Sequence, residues 1–156
     1  MATSELLRVA KAQAPLFVSV FNLYGIFRTI LGWHPEELTD PFHEELFTTG
    51  IHRAHYQSLE DAPRSASETD VYYFHPDELK ELLESEGVQT LTMATCQGLS
   101  SQMYEATNSL YRDAEKWKRW TEILLRTCED PSILGLGNQL VYVGRKEVKQ
   151  DKKRSL

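Results

Sequence analysis

The chain has 156 residues, the size of one ordinary domain, enough to bury roughly 68–70% of the surface that its unfolded form exposes. Hydrophobic residues at 41% and charged residues at 26% exclude disordered, collagen-like and fibrous classes. A formal charge of -6 and a pI near 5.4 argue against a dedicated nucleic-acid surface, because phosphate binding draws on clustered Lys and Arg.

In chain order, residues 4–10 (SELLRVA) predict a short helix with Ser4 as N-cap and Leu6, Leu7, Val9 and Ala10 on one side. Residues 15–21 (PLFVSVF) form a continuous β-prone run, expected of a strand buried on both faces in the centre of a sheet. Residues 22–33 read as a turn leading into an amphipathic helix, and His34 to Leu38 start another short one. Residues 48–70 weaken into polar and small residues, an irregular insertion or lid longer than most connections.

Periodicity returns at residues 75–79 (HPDEL). Pro76 suits the first helical position, Asp77 and Glu78 favour the positive helix end, Leu79, Leu82 and Leu83 form the apolar stripe, and Gly87 is the stop. Residues 88–96 (VQTLTMATC) have strand composition. Two helices follow over 100–111 and 113–128, the second with Trp117, Trp120 and Leu124 as its core stripe. Asp130-Pro131 breaks it, and residues 139–144 (QLVYVG) form a last short strand. From residue 145 six basic residues (Arg145, Lys146, Lys149, Lys152, Lys153, Arg154) face Glu147 and Asp151, a net of +4 that leaves -10 elsewhere. Residues 148–156 are expected to be a frayed, solvated tail. The order predicts one α/β domain over 1–147, with about three strands, the last antiparallel, several helices and the 48–70 insertion. In so small a sheet the strand at 15–21 keeps an open apolar edge, which invites a second copy or another protein.

Leu7-Arg8-Val9-Ala10-Lys11, a short turn and Leu16-Phe17-Val18-Ser19-Val20 resemble the helix and fifth strand of class I S-adenosylmethionine-dependent methyltransferases. Where members of that family have Lys-Pro-Gly-Gly at the turn, this chain has Lys11-Ala12-Gln13-Ala14. Tyr73-Phe74-His75-Pro76-Asp77-Glu78-Leu79, with Gly87, resembles the helix before the sixth strand, Gln97-Gly98-Leu99 the turn after that strand, and Val141-Tyr142-Val143-Gly144-Arg145-Lys146 the closing strand. The resemblance covers most of residues 4–147 and implies an incomplete Rossmann-like sheet, the C-terminal half of such an enzyme. In the family, the first strand, a glycine-rich turn and an acidic residue hold S-adenosylmethionine. The one glycine-rich turn here, Gly135-Leu136-Gly137, precedes a strand and does not open a helix, so the chain alone is not expected to bind the cofactor.

The resemblance implies that this half contributes acceptor-pocket residues. Asn22 and Tyr24 follow the first strand directly, and His52, Arg53 and His55 lie in the insertion that Tyr72, Tyr73 and His75 close. The competing structural reading makes Asn22 a turn residue, Tyr24 a packing aromatic and His75 a helix cap. His52-x-x-His55 with His43 or His75 lacks the carboxylate or cysteine spacing of a metal site, and no metal is expected. No G-x-S-x-G elbow and no nucleophile signature at Cys96 or Cys128 supports a hydrolase. Paired carboxylates such as Glu36-Glu37, Glu44-Glu45 and Asp77-Glu78 read as helix-surface charge. Two cysteines without metal spacing and no secretory opening fit a reduced cytoplasmic setting, and no apolar run approaches the roughly 20 residues that span a bilayer. Two functions are expected from this reading. One is methyl transfer to a small-molecule acceptor, with S-adenosylmethionine held by a complementary N-terminal half. The other is a non-catalytic remnant that binds a partner or self-associates through the 15–21 edge.

Overall fold

The computed structural model describes residues 2–33, 35–39, 42–52 and 70–147. Helix α1 (Ala2–Val9) leads through a turn to β1 (Pro15–Asn22), and α2 (Leu23–Trp33) follows without a linker. A 3-10 turn (Pro35–Thr39), α3 (Phe42–Thr49) and the two-residue strand β2 (Ile51–His52) come next. Then come β3 (Val71–Phe74), α4 (Pro76–Ser85), β4 (Val88–Thr95), a 3-10 turn (Gly98–Ser100), α5 (Tyr104–Leu110) and α6 (Ala114–Thr127). A 3-10 turn (Leu134–Leu136) and β5 (Gln139–Lys146) end the order. The described residues form an α/β fold with a five-stranded mixed sheet in the order β2-β3-β1-β5-β4. β1 is parallel to β3, whereas β5 is antiparallel to both β1 and β4, so β1, β3 and β4 point the same way.

Three strands were expected and five are present among the described residues. The two additional ones, of two and four residues, are too short to carry a period-2 signal; the end of α3 and β2 lie inside the 48–70 stretch read as irregular, and β3 follows it directly. β1 is central, as expected, but among the described residues it is covered along one face only. Leu16 and Asn22 are buried and Val18 and Val20 half-buried, whereas Phe17, Ser19 and Phe21 are exposed, Phe17 at 71%. The covered face packs on α1 and α4 through Leu7, Leu79, Leu83, Val88, Met93, Leu140 and Tyr142. An apolar run fits both a one-sided and a two-sided strand, and the layer that covers it decides between them. β3 pairs with β1 only at Phe21 and Asn22, so among the described residues the β3-side backbone edge of residues 15–20 carries no strand partner.

Local signals hold best around α4. His75 Nδ1 accepts the Asp77 N–H at 3.3 Å and the Glu78 carboxylate accepts the His75 N–H at 3.4 Å, a capping box, while Gly87 takes φ +83° after the C-cap. In α1, by contrast, Ser4 lies inside the helix and only Leu7 is buried, with Val9 62% exposed. Arg145 and Lys146 are part of β5 and not of a loose tail. Lys146 Nζ donates to Leu7 O at 2.5 Å and Ala10 O at 2.7 Å, which satisfies carbonyls at the end of α1. Residues 148–156 lie outside the described residues. Trp117, Trp120 and Leu124 are half-buried and not core, because α6 rests on the 98–100 turn, where the Trp120 indole donates to Ser100 Oγ at 2.8 Å.

Candidate functional site

In open α/β sheets, ligand sites form outside the carboxyl ends of the parallel strands. Here those ends are Asn22 of β1, Phe74 of β3 and Thr95 of β4. The loop before β5 is bound tightly to them. Asn22 is fully buried, and its amide donates to Leu134 O and Gly137 O, both at 2.8 Å, while its own N–H donates to Asn138 O. A Cβ at Gly137 would lie 2.0 Å from Cys96 O, and one at Gly25 would lie 2.4 Å from Gly137 O. Only glycine at both positions lets α2, the loop and the end of β4 meet.

Of the expected pocket residues, Asn22 is therefore a structural anchor whose two amide protons are both committed. Tyr24 is 44% exposed and stands edge-on to the His75 ring at 5.5 Å, so these two do converge at the strand ends. His52 and Tyr73 are both buried and come together across β2 and β3, with ring centroids 6.5 Å apart. Tyr73 also packs on Phe21 at 5.6 Å. Arg53 and His55 lie outside the described residues. Among the described residues no three His, Cys, Asp or Glu side chains are grouped to hold a metal ion.

A polar cluster that the sequence reading did not single out lies beside this end of the sheet. Asn138 Oδ1 has Thr29 Oγ1, Ser101 Oγ and Gln102 Nε2 around it at 3.2, 3.3 and 3.4 Å. Gln102 Nε2 also donates to Thr29 Oγ1 at 2.9 Å, and the Trp33 indole donates to Gln102 Oε1. Arg28 Nη2 donates to Ser101 O at 2.7 Å, but Arg28 Nε is shut off from solvent without an acceptor. Gln97 and Gln102 both take φ +65°, a left-handed conformation that costs a non-glycine residue of order 1–3 kcal/mol. Polar side chains scattered over α2, the 98–102 turn and the loop before β5 share no spacing, so no sequence pattern marks the cluster.

On the flank of β3, Tyr72, Phe74, Glu78, Glu81, Leu82 and Ser85 line an open groove of about 610 Å³. The Tyr72 hydroxyl donates to the Glu78 carboxylate, and that bond pushes its pKa up to about 12, with burial and the carboxylate charge adding to the shift. The Gly135–Gly137 loop does not fit S-adenosylmethionine. Gly135 to Gly137 form no amide cradle, because the Gly137 N–H goes to Thr95 Oγ1 and the Gly137 carbonyl is taken by Asn22. Among the described residues no helix is long and apolar enough to cross a membrane. No family model matches the chain, and no curated protein matches it.

Proposed function

We propose that this chain is the acceptor-side half of a class I methyltransferase that methylates a small molecule, completed by a separate half that holds S-adenosylmethionine. The observation that carries this reading is the arrangement of the segments that resemble the family. β1, β4 and β5 are contiguous as β1-β5-β4, α4 packs on them with its capping box, and the last strand runs antiparallel to both neighbours. Tyr24 and His75, at the carboxyl ends of the strands, are the groups offered to an acceptor. The negative net charge favours a small molecule over a nucleic acid. What this half supplies is position and exclusion of water, the contribution that alignment of two reactants requires.

The non-catalytic reading is favoured by a different observation, the exposed Phe17 and Phe21 beside the open edge of residues 15–20, where a second copy or a partner strand would dock. Calorimetric titration of S-adenosylmethionine into the purified chain, with its mass by light scattering, tests the first reading. No binding is expected from the chain alone, and micromolar affinity overturns the half-enzyme assignment. An adjoining reading frame that encodes a glycine-rich strand-turn-helix followed by an acidic residue should restore binding on co-expression. Its absence favours the non-catalytic reading.

A further inference from the structure

We propose that Arg28 is the receptor of an oxyanion site, taking a carboxylate or phosphate group of a small molecule at its unused guanidinium donors. A guanidinium stays charged in proteins and presents five N–H donors in a rigid fork that matches such oxyanions. Among the described residues only Nη2 is engaged, by a neutral carbonyl, Ser101 O at 2.7 Å. Nε is sealed from water with no acceptor, an expensive state for a charged group, and one that buried donors rarely keep. In a chain with 23 carboxylates among its side chains, none among the described residues forms an ion pair with Arg28. Its neighbours in the cluster, Thr29, Ser101, Gln102 and Asn138, are uncharged. Among the described residues the cation is thus uncompensated beside the carboxyl ends of the parallel strands, where an incoming oxyanion would meet both its charge and its unpaired N–H. Nε is shielded, so binding requires a local rearrangement. Gln102, held at φ +65° and tied to half-exposed Trp33, is the strained element that can supply it. This inference concerns an oxyanion alone and does not rest on the methyl-transfer reading.

The full chain would be titrated with sodium phosphate and, separately, with sodium acetate, each against sodium chloride at matched ionic strength. The Arg28 Nε–H nuclear magnetic resonance signal would be followed alongside the melting temperature. A saturable shift of that signal with one oxyanion, absent with chloride, is expected, and which salt acts distinguishes a phosphate from a carboxylate ligand. Arg28→Gln should weaken apparent affinity by ~10-fold or more, the loss expected when a charge-assisted hydrogen bond is removed, and Arg28→Lys should retain part of it. If the Nε–H signal answers neither oxyanion, or answers chloride equally, the site does not exist. The same holds if Arg28→Gln binds as the wild type does. Should Arg28→Gln fail to fold, the wild-type Nε–H titration decides alone.

Discussion

Asn22 holds the end of β1 to the loop before β5 with both protons of one side-chain amide, so its contribution falls on stability and not on ligand contact. Asn22→Ala leaves the carbonyls of Leu134 and Gly137 buried without those donors. The unfolding free energy, read from urea denaturation, should drop by about 1–3 kcal/mol. Asn22→Asp should cost more than Asn22→Ala, because it sets a carboxylate against the same two carbonyl oxygens. Equal stability of wild type and Asn22→Ala would show that the two bonds contribute nothing net. Of the candidate residues, His75 was legible as a cap from the Pro76-Asp77-Glu78 that follows it, whereas Asn22, expected in a turn, is the last residue of β1 with α2 starting at Leu23. Arg28 was not legible, because an arginine on an amphipathic helix looks alike whether it meets water or the Ser101 carbonyl.

Between elements, the Tyr72–Glu78 bond ties β3 to the first turn of α4, and it makes the junction sensitive to alkali. The Tyr72 pKa is raised from 10.0 to about 12 in the folded chain. The unfolded chain therefore releases this proton first, and the folded state holds the excess of bound protons between those values. The stability that the bond confers is complete below about pH 10 and is lost as the pH climbs through about 12. Burial raises Tyr142 in the same direction, with its hydroxyl 2.8 Å from Thr90 Oγ1, so its contribution has the same sign. Denaturant midpoints measured from about pH 9 to about pH 12, a range set about the unfolded and folded Tyr72 values of 10.0 and about 12, should fall less steeply for Tyr72→Phe than for the wild type. An unchanged slope would mean that Tyr72 titrates alike in both states. The helix beside this bond was legible because capping residues and an i, i+3, i+4 stripe are local signals. β3 was not, since four residues between an irregular stretch and a helix start show no repeat.

At the scale of the whole molecule, one sheet face is covered by α1 and α4, whereas on the other Tyr73 of β3 is buried with Leu23, Ile30 and Leu46 of α2 and α3 and β1 presents Phe17 and Phe21 to solvent. Phe17→Lys should lower any concentration-dependent association of the chain by about 10-fold or more, as expected for removing one large apolar side chain from a contact. A light-scattering mass that is the same for both proteins at every concentration would exclude that face from self-association. The sequence by itself determined the α/β class, the existence of β1, α4, β4 and β5, and the caps and stops of α4, because each is encoded by residues adjacent in the chain. Only the tertiary structure decided that β5 enters the sheet between β1 and β4 and that Lys146 closes the end of α1. It also decided that α6 rests on the 98–100 turn, and that Arg28 meets the 98–102 turn with a donor unpaired. The reason is physical: apolar periodicity records that a face is to be buried, whereas the surface that buries it, and the polar groups left facing one another there, depend on contacts between residues up to 139 positions apart.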